Sequence, residues 1–122
     1  MFEPRVDPRA RVSVPIHVLD AETHATRMPI ETVDLSAGGA FCRAPENVSL
    51  KSQIRVRIEL PDGDGSPILT DAIVLRVDRD AGARAGVGGF LVALYFLNLR
   101  FADRQRLQRF IFSCLSPEPA SP

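Results

Sequence analysis

The chain has 122 residues, 45% hydrophobic and 25% charged, which fits one soluble domain able to bury a core of its own. Fifteen basic residues balance fifteen acidic ones. No global field therefore draws the protein to nucleic acid or anionic lipid, and any anion site must be local.

Residues 1–11 read as a flexible, extended arm, because "MFEPRVDPR" carries two prolines and no apolar periodicity. From Val12 the pattern changes: Val12, Val14, Ile16 and Val18 alternate with Ser13, Pro15, His17 and Leu19, as in a half-buried strand. Pro15 points to an edge strand or a bulge. A second strand follows at about Arg27–Leu35, then a short one, "AFCRA". "IRVRIEL" is the clearest strand, with Ile54, Val56, Ile58 and Leu60 on one face, and "PDGDGS" turns it into the returning strand "ILTDAIVLRV". A glycine-rich loop, Gly82–Gly89, leads to "FLVALYF". The apolar run Phe90–Leu97 is far shorter than the roughly 20 residues of a membrane-crossing helix, so it is a buried strand rather than an anchor.

The last element is a helix from about Ala102 to Leu115, with Leu107, Phe110, Ile111 and Leu115 as its apolar stripe and Arg104, Arg106 and Arg109 largely off it. Residues 116–122, "SPEPASP" from Ser116, cannot continue it and form a disordered tail. About six short strands separated by turns, then one amphipathic helix, predict an all-β fold: a small six-stranded antiparallel β-barrel over residues 12–115 with the helix packed on it or capping one mouth.

Enzyme and metal motifs fail on inspection. The nucleophile-elbow pattern around Ser36 needs a glycine where Asp34 stands. A dinucleotide fingerprint begun by Gly86 and Gly88 meets Leu91 at its third glycine, and there is no phosphate loop. Asp62, Asp64 and Ser66 resemble the start of a calcium loop, but Pro67 occupies its glycine position and Ile73 its glutamate position. His17 and His24 lack a second ligand at useful spacing. Cys42 and Cys114 have no metal-ligand spacing, and no apolar signal core opens the chain. They read as small buried hydrophobes with reduced thiols in a cytoplasmic protein. No catalysis and no metal are expected.

Two segments remain. In "DLSAGG", with Val33 and Leu35 facing inward, the period of two places Asp34 and Ser36 together on the other face. A carboxylate accepts from N–H groups such as the amine and imide edge of guanine, and a hydroxyl beside it donates or accepts. Gly38 and Gly39 would supply positive φ and let a ligand approach the backbone. The competing reading is a serine or Asx turn that caps the strand end. In the arm, "RVDPR" sets Arg5 and Arg9 four residues apart, roughly 13 Å in extended chain. That spread suits a ligand with several separate anionic or guanine-like edges. Fourteen of the fifteen basic residues are arginine; a GC-rich coding sequence accounts for that bias more simply than ligand binding does.

RxxxR at Arg5–Arg9, DxSxxG at Asp34–Gly39, the "GGAF" continuation, the "LPDG" hairpin and the late "YF" occur in this order from about Arg5 to Leu115. With them the chain resembles the PilZ domain family, bacterial receptors for the second messenger cyclic di-GMP. The resemblance implies that Arg5 and Arg9 grip guanine edges and phosphates, that Asp34 and Ser36 bind a guanine, and that Gly39 keeps the approach clear. Pro4 stands where some members carry a further arginine, so ligand stoichiometry is open. RxxxR begins five residues from the start, so a stand-alone member is expected, one that closes its arm over the ligand and acts on a separate, unidentified protein partner in motility or biofilm regulation; homodimerisation stays open. The alternative is a divergent PilZ-like interaction module that binds no nucleotide. Nucleic-acid binding through the arm and helix arginines is disfavoured by the balanced charge and few aromatics.

Overall fold

A computed structural model describes residues 8–80 and 89–115. Arg5 and the rest of residues 1–7, residues 81–88 of the glycine-rich loop and the expected tail 116–122 lie outside the described residues. In chain order the elements are β1 (Arg9–Ala10), β2 (Pro15–Leu19), β3 (Thr26–Ser36), β4 (Gly39–Ala44), β5 (Gln53–Ile58), β6 (Ile68–Arg79), β7 (Phe90–Leu97) and α1 (Phe101–Leu115). Neighbours run β3, β2, β5, β6, β7, β4, all antiparallel, and β4 pairs back onto β3. Six strands thus close into the expected barrel, and closure removes their edges. β1 is a seventh strand held by β3, with Arg9 opposite Ser36 and Ala10 opposite Leu35.

Alternation fills the interior. Val14, Ile16, Val18, Val56, Ile58, Ile68, Ala72, Val74, Val92, Leu94 and Phe96 all point inward, joined by Leu107 and Ile111 of α1. Each large aliphatic side chain so buried contributes about 1.5–3 kcal/mol. Ala10, at the end of the expected arm, is buried in the same cluster.

Pro15 is on neither an edge strand nor a bulge. It opens β2, which pairs with β3 on one side and β5 on the other. The first residue of a strand can do without an N–H, and the Pro15 carbonyl accepts from the Glu59 N–H at 3.0 Å. Between β1 and β2 the regular ladder along β3 is interrupted, and Thr32 spans the gap: its N–H donates to the Val14 carbonyl at 3.1 Å, and its hydroxyl accepts from the Val14 N–H at 2.8 Å and donates to the Val12 carbonyl.

Two bulges shift the alternation. In β3, Thr32 pairs with Cys42 but Asp34 with Phe41, leaving Val33 as the extra residue. In β6, Val74 pairs with Leu94 but Arg76 with Ala93, leaving Leu75 as the extra one. Val33 is consequently half-buried and outside the core, against expectation, while Thr32 and Leu35 are inside. A bulge sets two successive side chains on one face: Val33 with Asp34, and Leu75 with Arg76.

The helix departs from its expected stripe. Leu107 and Ile111 are buried and Phe110 partly so, but Leu115 is exposed and Arg106 is buried. The cause is the β5–β6 hairpin, whose Asp62 takes a bidentate pair from Arg106 Nε at 2.6 Å and Nη2 at 2.9 Å. Arg106 Nη1 reaches the Ser66 hydroxyl at 3.3 Å. The residues that resembled a calcium loop therefore anchor the helix. Cys114 is exposed rather than buried, whereas Cys42 is buried as expected.

Candidate functional site

Asp34 and Arg9, far apart in sequence, meet. Arg9 opposes Ser36 across β1 and β3, and the diagonal neighbour two residues back is Asp34, within reach of a long side chain. Arg9 Nη1 donates to Asp34 Oδ1 at 2.8 Å, with side-chain exposures of 61% and 21%. The two charged groups assigned to one ligand thus bind each other.

Ser36 is occupied as well. Its hydroxyl accepts from the Gly38 and Gly39 N–H groups at 3.2 and 3.1 Å and donates to the Gly39 carbonyl at 3.2 Å. That uses one donor and two acceptor sites, the full capacity of a hydroxyl. Neither Gly38 nor Gly39 has positive φ, so the expected turn geometry is not the reason for the glycine pair. Gly39 has another: a Cβ there would lie 2.2 Å from the Leu94 carbonyl oxygen of β7. The glycine lets β4 and β7 pair at Gly39–Tyr95.

Beyond this turn the barrel's outer face continues in one row across four strands. Asp34 is opposite Phe41, Phe41 opposite Ala93, and Ala93 opposite Arg76. The row floors a cleft of about 500 Å³, lined also by Arg9, Ser36 and Tyr95. Its walls are an ion pair at the β3 end, a phenylalanine and an alanine in the middle, and a cation at the β6 end. The Arg76 guanidinium stands 5.9 Å from the Phe41 ring centroid, within cation–π range. Arg76 Nε also donates to Asp78 Oδ2 at 2.8 Å. Beneath the floor, burial and then the Asp34 charge push the Cys42 thiol pKa up to about 12, so it stays protonated and unreactive. No group of three or more metal-ligating side chains occurs among the described residues.

The PilZ domain family model matches residues 3–113. The chain belongs to the PilZ domain family. Solved PilZ-type structures share its fold at low sequence identity. The PilZ domain of Escherichia coli YcgR, solved with c-di-GMP, is 18% identical with a TM-score of 0.68, covering 93% of this chain and 92% of that one. Bacillus subtilis MotI, an inhibitor of motility, is 19% identical with a TM-score of 0.73, covering 92% and 51%. K. pneumonia MrkH in its c-di-GMP complex is 16% identical with a TM-score of 0.69, covering 93% and 53%. The chain spans about half the length of the MotI and MrkH chains. No match was found among curated proteins. No helix among the described residues is long and apolar enough to cross a membrane.

Of the residues that the PilZ motifs single out, Arg9, Asp34, Ser36 and Gly39 all border this cleft, while Arg5 lies outside the described residues. The sequence reading missed Phe41, Arg76 and Tyr95. A signal for Arg76 was present: in "VLRV", Val74 and Val77 are both on the inner side at a spacing of three, which a regular strand cannot produce.

Proposed function

We propose that this PilZ domain is a cytoplasmic receptor for cyclic di-GMP that changes its surface on binding and so regulates a separate protein partner, without catalysis. The observation that carries the reading is the convergence of Arg9 and Asp34 at one cleft of a PilZ barrel. The ligand offers two phosphates and two guanines. Arg9 exchanges the Asp34 carboxylate for a phosphate or for a guanine O6/N7 edge, and Asp34 then accepts from the guanine amine and imide. Arg5, four residues earlier, supplies a second guanidinium. Ser36 holds the turn that presents Asp34, and its hydroxyl can rotate toward the base at the expense of one turn hydrogen bond.

The response has a physical route. Helix α1 lies against β1 and β3, the two strands that carry the Arg9–Asp34 pair. Pro8 and Ala37, beside Arg9 and within the DxSxxG turn, face Gln108, Ile111 and Phe112 across a narrow gap. A shift of β1 or of the turn therefore displaces the helix surface that a partner meets, and the ligand selects that state by binding it better.

Calorimetric titration of cyclic di-GMP into wild type, Arg9→Ala, Asp34→Asn and the off-site control Arg55→Ala tests this. Micromolar binding by wild type and control, weakened at least about fivefold in the two site variants, is expected. Equal heats from wild type and Arg9→Ala would remove the arm from the mechanism. A second reading, an interaction module without nucleotide, has one observation in its favour: Asp34 and Ser36 already have partners within the protein. No heat from wild type at saturating ligand would select it.

A further inference from the structure

Asp34 and Arg76 occupy equivalent places. Each ends the same row, Asp34–Phe41–Ala93–Arg76, and in each case the preceding residue is the extra one of a bulge. In a regular strand following Val74, Arg76 would point into the barrel, where an unpaired guanidinium could not stay. The bulge at Leu75 instead turns it outward onto the cleft that Asp34 lines. Bulges recur beside functional sites because they re-aim a side chain without breaking the sheet. Here two do so at the two ends of one floor.

We propose that Arg76 is a ligand-binding and specificity-determining residue: it swings off the face of the Phe41 ring to hold the O6/N7 edge of a guanine whose amine and imide edge Asp34 holds, and the base takes its place over Phe41 and Ala93. This rests on the reading of the cleft as a cyclic di-GMP site. Three observations carry it. Both side chains line the one cleft, and because the O6/N7 edge of guanine adjoins its amine and imide edge, one base can meet both when the two side chains lean inward over the row. The floor between them suits a flat base: an aromatic ring, then an alanine that leaves room above it, with the half-exposed Tyr95 on the neighbouring row. Finally, Asp78 takes the Arg76 Nε. The two Nη groups remain for an acceptor pair, the fork geometry that matches guanine O6 and N7. Adenine presents a donor at the position of O6, so the same fork disfavours it.

The test titrates cyclic di-GMP and cyclic di-AMP into wild type, Arg76→Ala and Arg76→Lys by calorimetry, with thermal melting of each protein alone. Expected are melting temperatures close to wild type, a loss of cyclic di-GMP affinity of about 5- to 150-fold in Arg76→Ala, and a smaller change for cyclic di-AMP, so that the ratio between the two ligands falls. Arg76→Lys keeps the charge and stem but not the fork, and is expected to lose the discrimination as well; it also carries the test should the alanine variant misfold. Wild-type affinity and discrimination in Arg76→Ala would overturn this inference while leaving the receptor reading intact. Full discrimination in Arg76→Lys would overturn the fork contact. No binding of cyclic di-GMP by wild type would overturn both.

Discussion

Among the arginine–aspartate pairs that join distant parts of this molecule, Arg106–Asp62 and Arg9–Asp34 contrast in geometry and exposure. Arg106 and Asp62 meet through two hydrogen bonds of 2.6 and 2.9 Å, with side-chain exposures of 9% and 19%. Arg9 and Asp34 meet through one nitrogen at 2.8 Å, with Arg9 61% exposed. Bidentate geometry and shielding make the first pair a latch, because breaking it strands a desolvated charge. The second lies in water, where an ion pair adds at most about 1 kcal/mol and exchanges partners easily. Stability is expected to reside in the shielded pair, and the proposed recognition in the pair that solvent can already open.

Substitutions can break this contrast. The largest effect on stability is expected from Arg106→Ala, a loss of about 1.5–3 kcal/mol for the charged hydrogen bonds to Asp62, measured by urea unfolding. A cost below about 0.5 kcal/mol would show the latch to be ornamental. Acid should act on the same pair. The Arg106 hydrogen bonds lower the Asp62 pKa from 3.8 to about 2, against a smaller upward push from burial. A depressed native pKa means stability that is complete above 3.8 and drains away as pH falls toward about 2. Unfolding free energies of wild type should therefore drop through that window more steeply than those of Asp62→Asn, and parallel curves would argue against it. Smallest is the effect of Arg9→Ala on folding, within about 1 kcal/mol of wild type, even though the same change is expected to weaken cyclic di-GMP binding.

The sequence made the barrel legible because strand alternation and turn residues follow directly from burial and backbone geometry. Ile54, Val56, Ile58 and Leu60 show it plainly, and Leu107 and Ile111 do so for the helix. Where the reading failed, a tertiary partner had overridden a local rule. Arg106 looked like a solvated residue because the carboxylate that draws it inward lies 44 positions earlier. Leu115 was left outside. The motif residues Arg9 and Asp34 were visible as types at a spacing, but not their mutual contact, since that depends on β1 pairing at the far end of β3. Ser36 and Gly39 turned out to serve the turn and the strand packing through the buried hydroxyl and the close Leu94 carbonyl. Arg76 was hidden by a phase slip whose trace in the sequence, two valines at a spacing of three in "VLRV", gains its meaning from the register.

The splice at Thr32 has a consequence for motion. The ring of six strands closes without β1, and between β1 and β2 the hold on β3 narrows to Thr32, through its N–H to the Val14 carbonyl and its hydroxyl to Val14 and Val12. β1 is therefore expected to part from Ser36 and Leu35, at the cost of exposing Ala10, while the ring stays shut. Amide protons of Arg9 and Ala10 should trade with deuterium well ahead of those of Ile16 and Val56, and bound nucleotide should narrow that gap.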